Sequence, residues 1–178
     1  MSNLSRIQRI SRLMQRICTA SVVLIPLTVA GMWATFEWWG PTHPDLAPIP
    51  EVPATLTLPT RLLAAAVGML QASIAVFAVW RLRQLFALYA EGQIFTAGNT
   101  RCLRHFAAAV CVFAIAKPIT GALLSVVLTM NNPPGHRQLS ISFGSSELTT
   151  LFIGCVFLVI AWIMDEARTL AEEQAEII

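Results

Sequence analysis

Four long stretches of this chain are apolar almost without interruption, and clusters of polar and proline residues separate them. Ile17 to Phe36, Leu62 to Trp80 and Leu148 to Met164 carry no charge, and Phe106 to Met130 carries only Lys117. A bilayer core about 30 Å thick is crossed by roughly 20 apolar residues in helical conformation. The pattern therefore predicts an all-α membrane protein, a four-transmembrane-helix bundle in one unit, with spans at about 14–39, 60–91, 97–130 and 147–175.

Local signals place some of the helix ends. Pro59 suits the first turn of the second helix. Glu91-Gly92 offers a stop at its far end, since glycine accepts the left-handed conformation that closes a helix. From Thr60 to Glu91 such a helix is roughly 48 Å long, so its last turns overrun the membrane. Thr96 is a candidate N-cap for the third helix. Between the first two spans, Pro41, Pro44, Pro48, Pro50 and Pro53 rule out a long helix over Gly40 to Leu58. The end of that loop, Ala54-Thr55-Leu56-Thr57-Leu58, alternates apolar and polar residues, as does Leu139-Ser140-Ile141-Ser142-Phe143 in the third connection. Alternation with period two predicts strands, and the two segments are expected to pair as a small extracytoplasmic β-ribbon.

Composition agrees with the pattern: 56% of residues are hydrophobic and only 12% charged, against about 25% charged in soluble domains. The distribution of arginine adds an orientation. Arg6, Arg9, Arg12 and Arg16 precede the first span, Arg81, Arg83, Arg101 and Arg104 lie between the second and third, and Arg168 follows the fourth. The alternate connections hold only Arg61 and Arg137. Basic residues stay in the cytoplasm, so both termini and the central connection are expected inside. The first span also resembles a cleaved signal peptide, with an arginine-rich start and Thr28-Val29-Ala30 as a cleavage site. Its apolar run continues to Trp33, Phe36, Trp38 and Trp39, aromatic residues of the kind that anchor a retained helix at the membrane interface, so retention is the reading we carry forward.

The flanks are amphipathic. Leu4, Ile7, Ile10, Met14 and Ile17 recur at helical spacing among the first arginines, which predicts a basic lead-in on the membrane surface, each arginine contributing about 1 kcal/mol near anionic lipid. The C-terminal end carries Asp165, Glu166, Glu172, Glu173 and Glu176, with Leu170, Ala171, Gln174, Ile177 and Ile178 on one face. Arg101, Arg104, Glu172 and Glu173 are accordingly the candidate residues for a cytoplasmic partner. Gly31, Gly68, Gly121 and Gly154 are candidates for close helix contacts within the chain or in a homo-oligomer.

Lys117 is the most informative single residue. It falls near the middle of its span, where an ionised lysine costs at least ~2.5 kcal/mol. Pro118 beside it leaves the Ala114 carbonyl without its helical donor. Gln71 and Ser73 sit at similar depth, and Thr120 lies one turn away. Three arrangements answer the charge. Lys117 is satisfied by Gln71, Ser73 and freed carbonyls; or it lines, with Gln71, Ser73 and Thr120, a site for an anionic ligand or lipid; or it reaches a water-filled cavity or pairs with Glu37 or Glu147, which the span lengths place nearer the outer surface.

Other chemistries find little support. Walker, GxGxxG and HExxH patterns are absent, as is GxSxG. Cys18, Cys102, Cys111 and Cys155 show no ligand spacing for zinc, and His105 beside Cys102 makes only one pair. No enzyme, metal or cofactor is expected, and the arginines are too dispersed for direct nucleic-acid binding.

Leu85-Phe86-Ala87-Leu88-Tyr89-Ala90-Glu91-Gly92-Gln93-Ile94-Phe95-Thr96, followed by Asn99 and Leu103-Arg104, resembles a bacterial family of small four-helix inner-membrane proteins catalogued as a domain of unknown function. Asp165 to Ile178, with Leu170-Ala171-Glu172-Glu173, is similar to the end of that family. The likeness runs from the second span onward and includes neither the proline-rich loop nor Lys117-Pro118. It implies four spans and a bacterial inner membrane. It also implies a common gene neighbour, a small helix-turn-helix regulator of the phage-repressor type, and so a possible protein partner; it carries no catalytic residues.

Overall fold

A computed structural model describes the backbone of residues 2–39, 56–93, 96–133 and 135–176, and within these the side chains of 6–38, 56–93, 96–133 and 135–170. The four apolar stretches are four long helices: α1 (Ser2–Ala34), α3 (Leu58–Ala90), α4 (Ala97–Thr129) and α5 (Ser145–Glu176), with the single turn α2 (Phe36–Trp39) following α1. All four are long and apolar enough to cross a membrane. The proline-rich segment 40–55 lies outside the described residues.

Packing follows chain order: α1 lies against α3, α3 against α4, and α4 against α5. Between 11% and 17% of the most apolar window of each helix is buried within the chain, so most of the apolar surface is left for lipid. Two clusters hold the helices at opposite ends. At the tryptophan end, Trp33, Phe36, Leu56, Ala64 and Leu128 are buried together, and the Trp33 and Phe36 rings stack at 5.6 Å. At the arginine end, Leu85, Leu103 and Ala161 form the second core, with Phe106 meeting Phe157 edge to face at 5.6 Å.

The helix ends follow from local chemistry. Pro59 occupies the first turn of α3. At the other end Gly92 takes φ +79°, its N–H donates to Tyr89 O, and the Gln93 N–H donates to Leu88 O. These bonds satisfy carbonyls that the helix end leaves open, in the Schellman arrangement. Thr96 is the N-cap of α4, yet its hydroxyl makes no capping bond. Asn99, fully buried, ties the connection instead, its Nδ2 donating to Gln93 O at 2.7 Å.

The residues before the first span are not a separate helix. They are the opening turns of α1, and Gln8 reaches the α3–α4 connection, its Nε2 3.2 Å from where a Cβ on Gly92 would stand. The arginine end of α3 gives these turns a wall to pack on. Of the four candidate glycines, Gly68 and Gly154 sit at tight contacts. A Cβ at Gly68 would come within 2.9 Å of Trp33 Nε1, and one at Gly154 within 2.6 Å of Cys111 Sγ and 3.1 Å of its backbone nitrogen. Gly31 and Gly121 face open space.

The expected β-ribbon does not form: no strand occurs among the described residues. Ala54 and Thr55 lie outside them, and Leu56 is buried in the core at the tryptophan end. The segment 136–144 instead runs without regular structure beside α4. Its Gln138 N–H donates to Thr129 Oγ1 at 3.1 Å and its Ser140 N–H to Ser125 Oγ at 2.9 Å. Buried hydroxyls of α4 thus take the backbone donors that a partner strand would have used, and Leu139, Ile141 and Phe143 are exposed.

Candidate functional site

Arg61 and Arg83 fix a scale of depth. Between them α3 rises roughly 33 Å at 1.5 Å per residue, close to the thickness of a hydrocarbon core. At one level Arg61 bonds Glu37 at 2.7 Å. At the other Arg83 Nε donates to Thr19 Oγ1 at 2.8 Å and its guanidinium lies 5.2 Å from the centre of the Trp80 ring. Gln71 is nearly halfway between them. Its Nε2 donates to Phe113 O at 3.2 Å, and its Oε1 is 3.2 Å from the Thr120 hydroxyl. That hydroxyl is also 3.1 Å from the carbonyls of Ala116 and Lys117. Gln71 and Thr120 therefore close on each other and on the α4 backbone beside the Pro118 interruption.

Lys117, at this same mid-depth, pairs with Glu147, Nζ to Oε1 at 2.7 Å. A carboxylate does share the layer, contrary to the depth that span lengths suggested for Glu147. The cause is the register of α5. Lys117 meets Glu147, Cys111 meets Gly154, and Phe106 meets Phe157. Helix α4 continues beyond Lys117 to Thr129, roughly 18 Å, whereas α5 begins at Ser145. The extended segment 136–144 covers that distance, and α5 starts level with the middle of α4.

Glu147 serves two neighbours at once. Its Oε2 accepts from the Gly144 N–H at 2.8 Å, while Oε1 holds Lys117. A glutamate in the first turn that reaches back to the N-cap amide satisfies a donor the helix leaves open, and its charge suits the positive helix end. The Glu147 side chain is 10% exposed and that of Lys117 41%. Non-helical backbone survives at membrane depth only where its polar groups are met by protein or water. Ser125, Thr129 and Glu147 supply that for Gln138, Ser140 and Gly144.

The four residues read as a ligand layer are thus divided. Gln71 and Thr120 join α3 to α4. Lys117 turns to α5. The Ser73 hydroxyl bonds Leu70 O at 2.7 Å, and the residue lines a separate groove between α3 and α4. Of the residues read as a partner surface, Arg101 and Arg104 are exposed on the first turns of α4. Glu172 and Glu173 lie on the last turns of α5, where the backbone alone is described. Asp165 bonds Arg168 of its own helix at 3.6 Å. The Ser125–Thr129 hydroxyl pair was missed from sequence, whereas the Lys117–Glu147 pair is one of the arrangements the sequence allowed, and Gly144 three residues before Glu147 is the local signal for its capping role. Among the described residues no cluster of His, Cys, Asp and Glu is placed to hold a metal.

Four helices long and apolar enough to cross a membrane, three successive packings and an ion pair between α4 and α5 define a small multi-pass membrane protein. Among curated proteins and solved structures, none matches the chain. A family model does match it over residues 26–178, and the chain belongs to that family, described as protein of unknown function (DUF2975). The match begins inside the first span, earlier than the resemblance read from the second span onward.

Proposed function

We propose that this is a non-catalytic protein of the bacterial cytoplasmic membrane, with both termini inside, that acts by binding a cytoplasmic protein such as a small helix-turn-helix transcription regulator. The arginine distribution supports the orientation. The overhang of α5 carries the partner reading. Beyond Ala161, which packs beside Leu103, α5 continues to Glu176, roughly 22 Å, whereas α4 reaches back from Leu103 only to Ala97, roughly 9 Å. The last turns of α5 therefore extend past the α3–α4 connection. They carry acidic residues and an apolar stripe that starts at Leu170, which is 52% exposed, and Arg101 and Arg104 stand on α4 nearby. An amphipathic helix laid into a groove is a common mode of protein recognition.

Co-purification of the full-length protein with small helix-turn-helix regulators of the same genome tests this reading. Deleting residues 165–178 together with Arg101→Gln and Arg104→Gln is expected to abolish capture; undiminished capture rejects the proposal. A second reading has support from one observation: Lys117 keeps 41% of its side chain exposed despite its pair, which leaves it open to a small anionic solute or lipid at mid-depth. Stabilisation by such a ligand in a thermal melt should then vanish in Lys117→Met, and its persistence rejects this reading.

A further inference from the structure

At the arginine end, α3 and α4 part to leave a groove of about 350 Å³, lined by Ser73, Ile74 and Phe77 on one side and His105, Ala108, Ala109 and Val112 on the other. Its size is that of a small-molecule site, and its walls are almost wholly apolar. The groove runs from near mid-depth toward the level of Arg83. There its character changes. Arg81 stands one turn beyond Phe77 with its guanidinium 5.0 Å from the ring centre, and its Nη1 donates to Gln84 Oε1 at 3.0 Å. Arg101 stands one turn beyond His105 on α4. The buried Arg81 Nε and His105 Nδ1 have no hydrogen-bond partner among the described residues. Arg81, Arg101 and Arg104 all lie close enough to His105 to act on it electrostatically. Asp165, the nearest acid on α5, bonds Arg168, and the groove's lining includes no α5 residue.

We infer that this groove holds an acyl chain of an anionic phospholipid from the adjacent leaflet, with the phosphate at Arg81, Arg101 and His105. The apolar walls suit a hydrocarbon chain. The cationic mouth lies at headgroup depth, where basic pockets between spans bind anionic headgroups. The buried Arg81 Nε–H, a donor without a partner at that mouth, is the feature a phosphate would complete. The inference shares Arg101 with the proposed partner surface but does not rest on a protein partner, and it does not involve Lys117.

Native mass spectrometry of the full-length protein, released from detergent after adding phosphatidylglycerol or phosphatidylcholine with matched acyl chains, tests it. Two arginines at about 1 kcal/mol each correspond to a preference of roughly 30-fold for the anionic lipid. Arg81→Gln with Arg101→Gln should remove the preference but leave residual binding of both lipids, and Arg81→Lys with Arg101→Lys should restore most of it. Ala108→Trp, which fills the groove from its exposed side, should weaken both lipids. The inference fails if the two lipids are retained equally. It fails if Arg9→Gln with Arg12→Gln, on α1, removes the preference as fully. It also fails if Ala108→Trp abolishes a dimer while lipid retention is unchanged, since a second copy would then occupy the groove.

Discussion

Two ion pairs in this protein have the same length, 2.7 Å, and opposite settings. Arg61–Glu37 lies at the tryptophan end, with Glu37 53% exposed; Lys117–Glu147 lies at mid-depth, with Glu147 10% exposed. At the edge, water and headgroups screen each charge, and either partner is replaceable. At mid-depth Lys117 and the Gly144 N–H together meet the Glu147 charge, and the pair also fixes where α5 begins. Equal geometry therefore has unequal consequences, because position in the membrane sets the cost of leaving a charge alone.

The sharpest way to break the comparison is Glu147→Ala. It strands Lys117 and uncaps α5, and a loss of about 3–5 kcal/mol is expected, read as stability in a denaturing-detergent titration. Lys117→Met with Glu147→Gln removes both charges and should recover most of that loss. If the single and double variants were equally unstable, pairing would not be the cause. Next comes Gly154→Leu, which forces side-chain atoms into the Cys111 backbone and disturbs the register that brings Glu147 to Lys117. A loss near 3 kcal/mol, the upper end for overpacking, is expected in the same titration, with Gly121→Leu nearly silent because that glycine faces open space. Ser125→Ala leaves the Ser140 N–H without its acceptor and should cost about 1.5 kcal/mol, with faster hydrogen exchange at 138–144 as the specific readout. Arg61→Gln, at the edge, is expected to cost less than about 1 kcal/mol; a loss matching Glu147→Ala would erase the distinction between the two settings.

The spans were legible because uninterrupted apolar runs leave few alternatives, and the ends of α3 because Pro59 and Gly92 act through their own backbones. The depth of α5 was not. Leu148 to Met164 has the length of a full span, and nothing in its own sequence says that it packs on α4 displaced toward the arginine end. That displacement comes from Gly154 against Cys111 and from Phe106 against Phe157, contacts between residues far apart in the chain. The same displacement turned Leu139 to Phe143 from an expected strand into an extended descent along α4. Its period-two alternation is real, but alternation reports an extended backbone and does not name the partner. Lys117 was recognised as a charge in need of company. Glu147 was among the partners the sequence allowed, but the choice stayed open because counting from helix ends placed Glu147 at a different height.

Helix α5 begins level with Lys117, near the middle of α4, and a distance measurement tests this most directly. In a background with Cys18, Cys102, Cys111 and Cys155 replaced by alanine, Lys117→Cys with Glu147→Cys should be bridged by a short bis-maleimide in native membranes, and Thr129→Cys with Glu147→Cys should not. Efficient bridging of 129 to 147 without bridging of 117 to 147 would mean that α5 starts level with the end of α4, and would contradict the account.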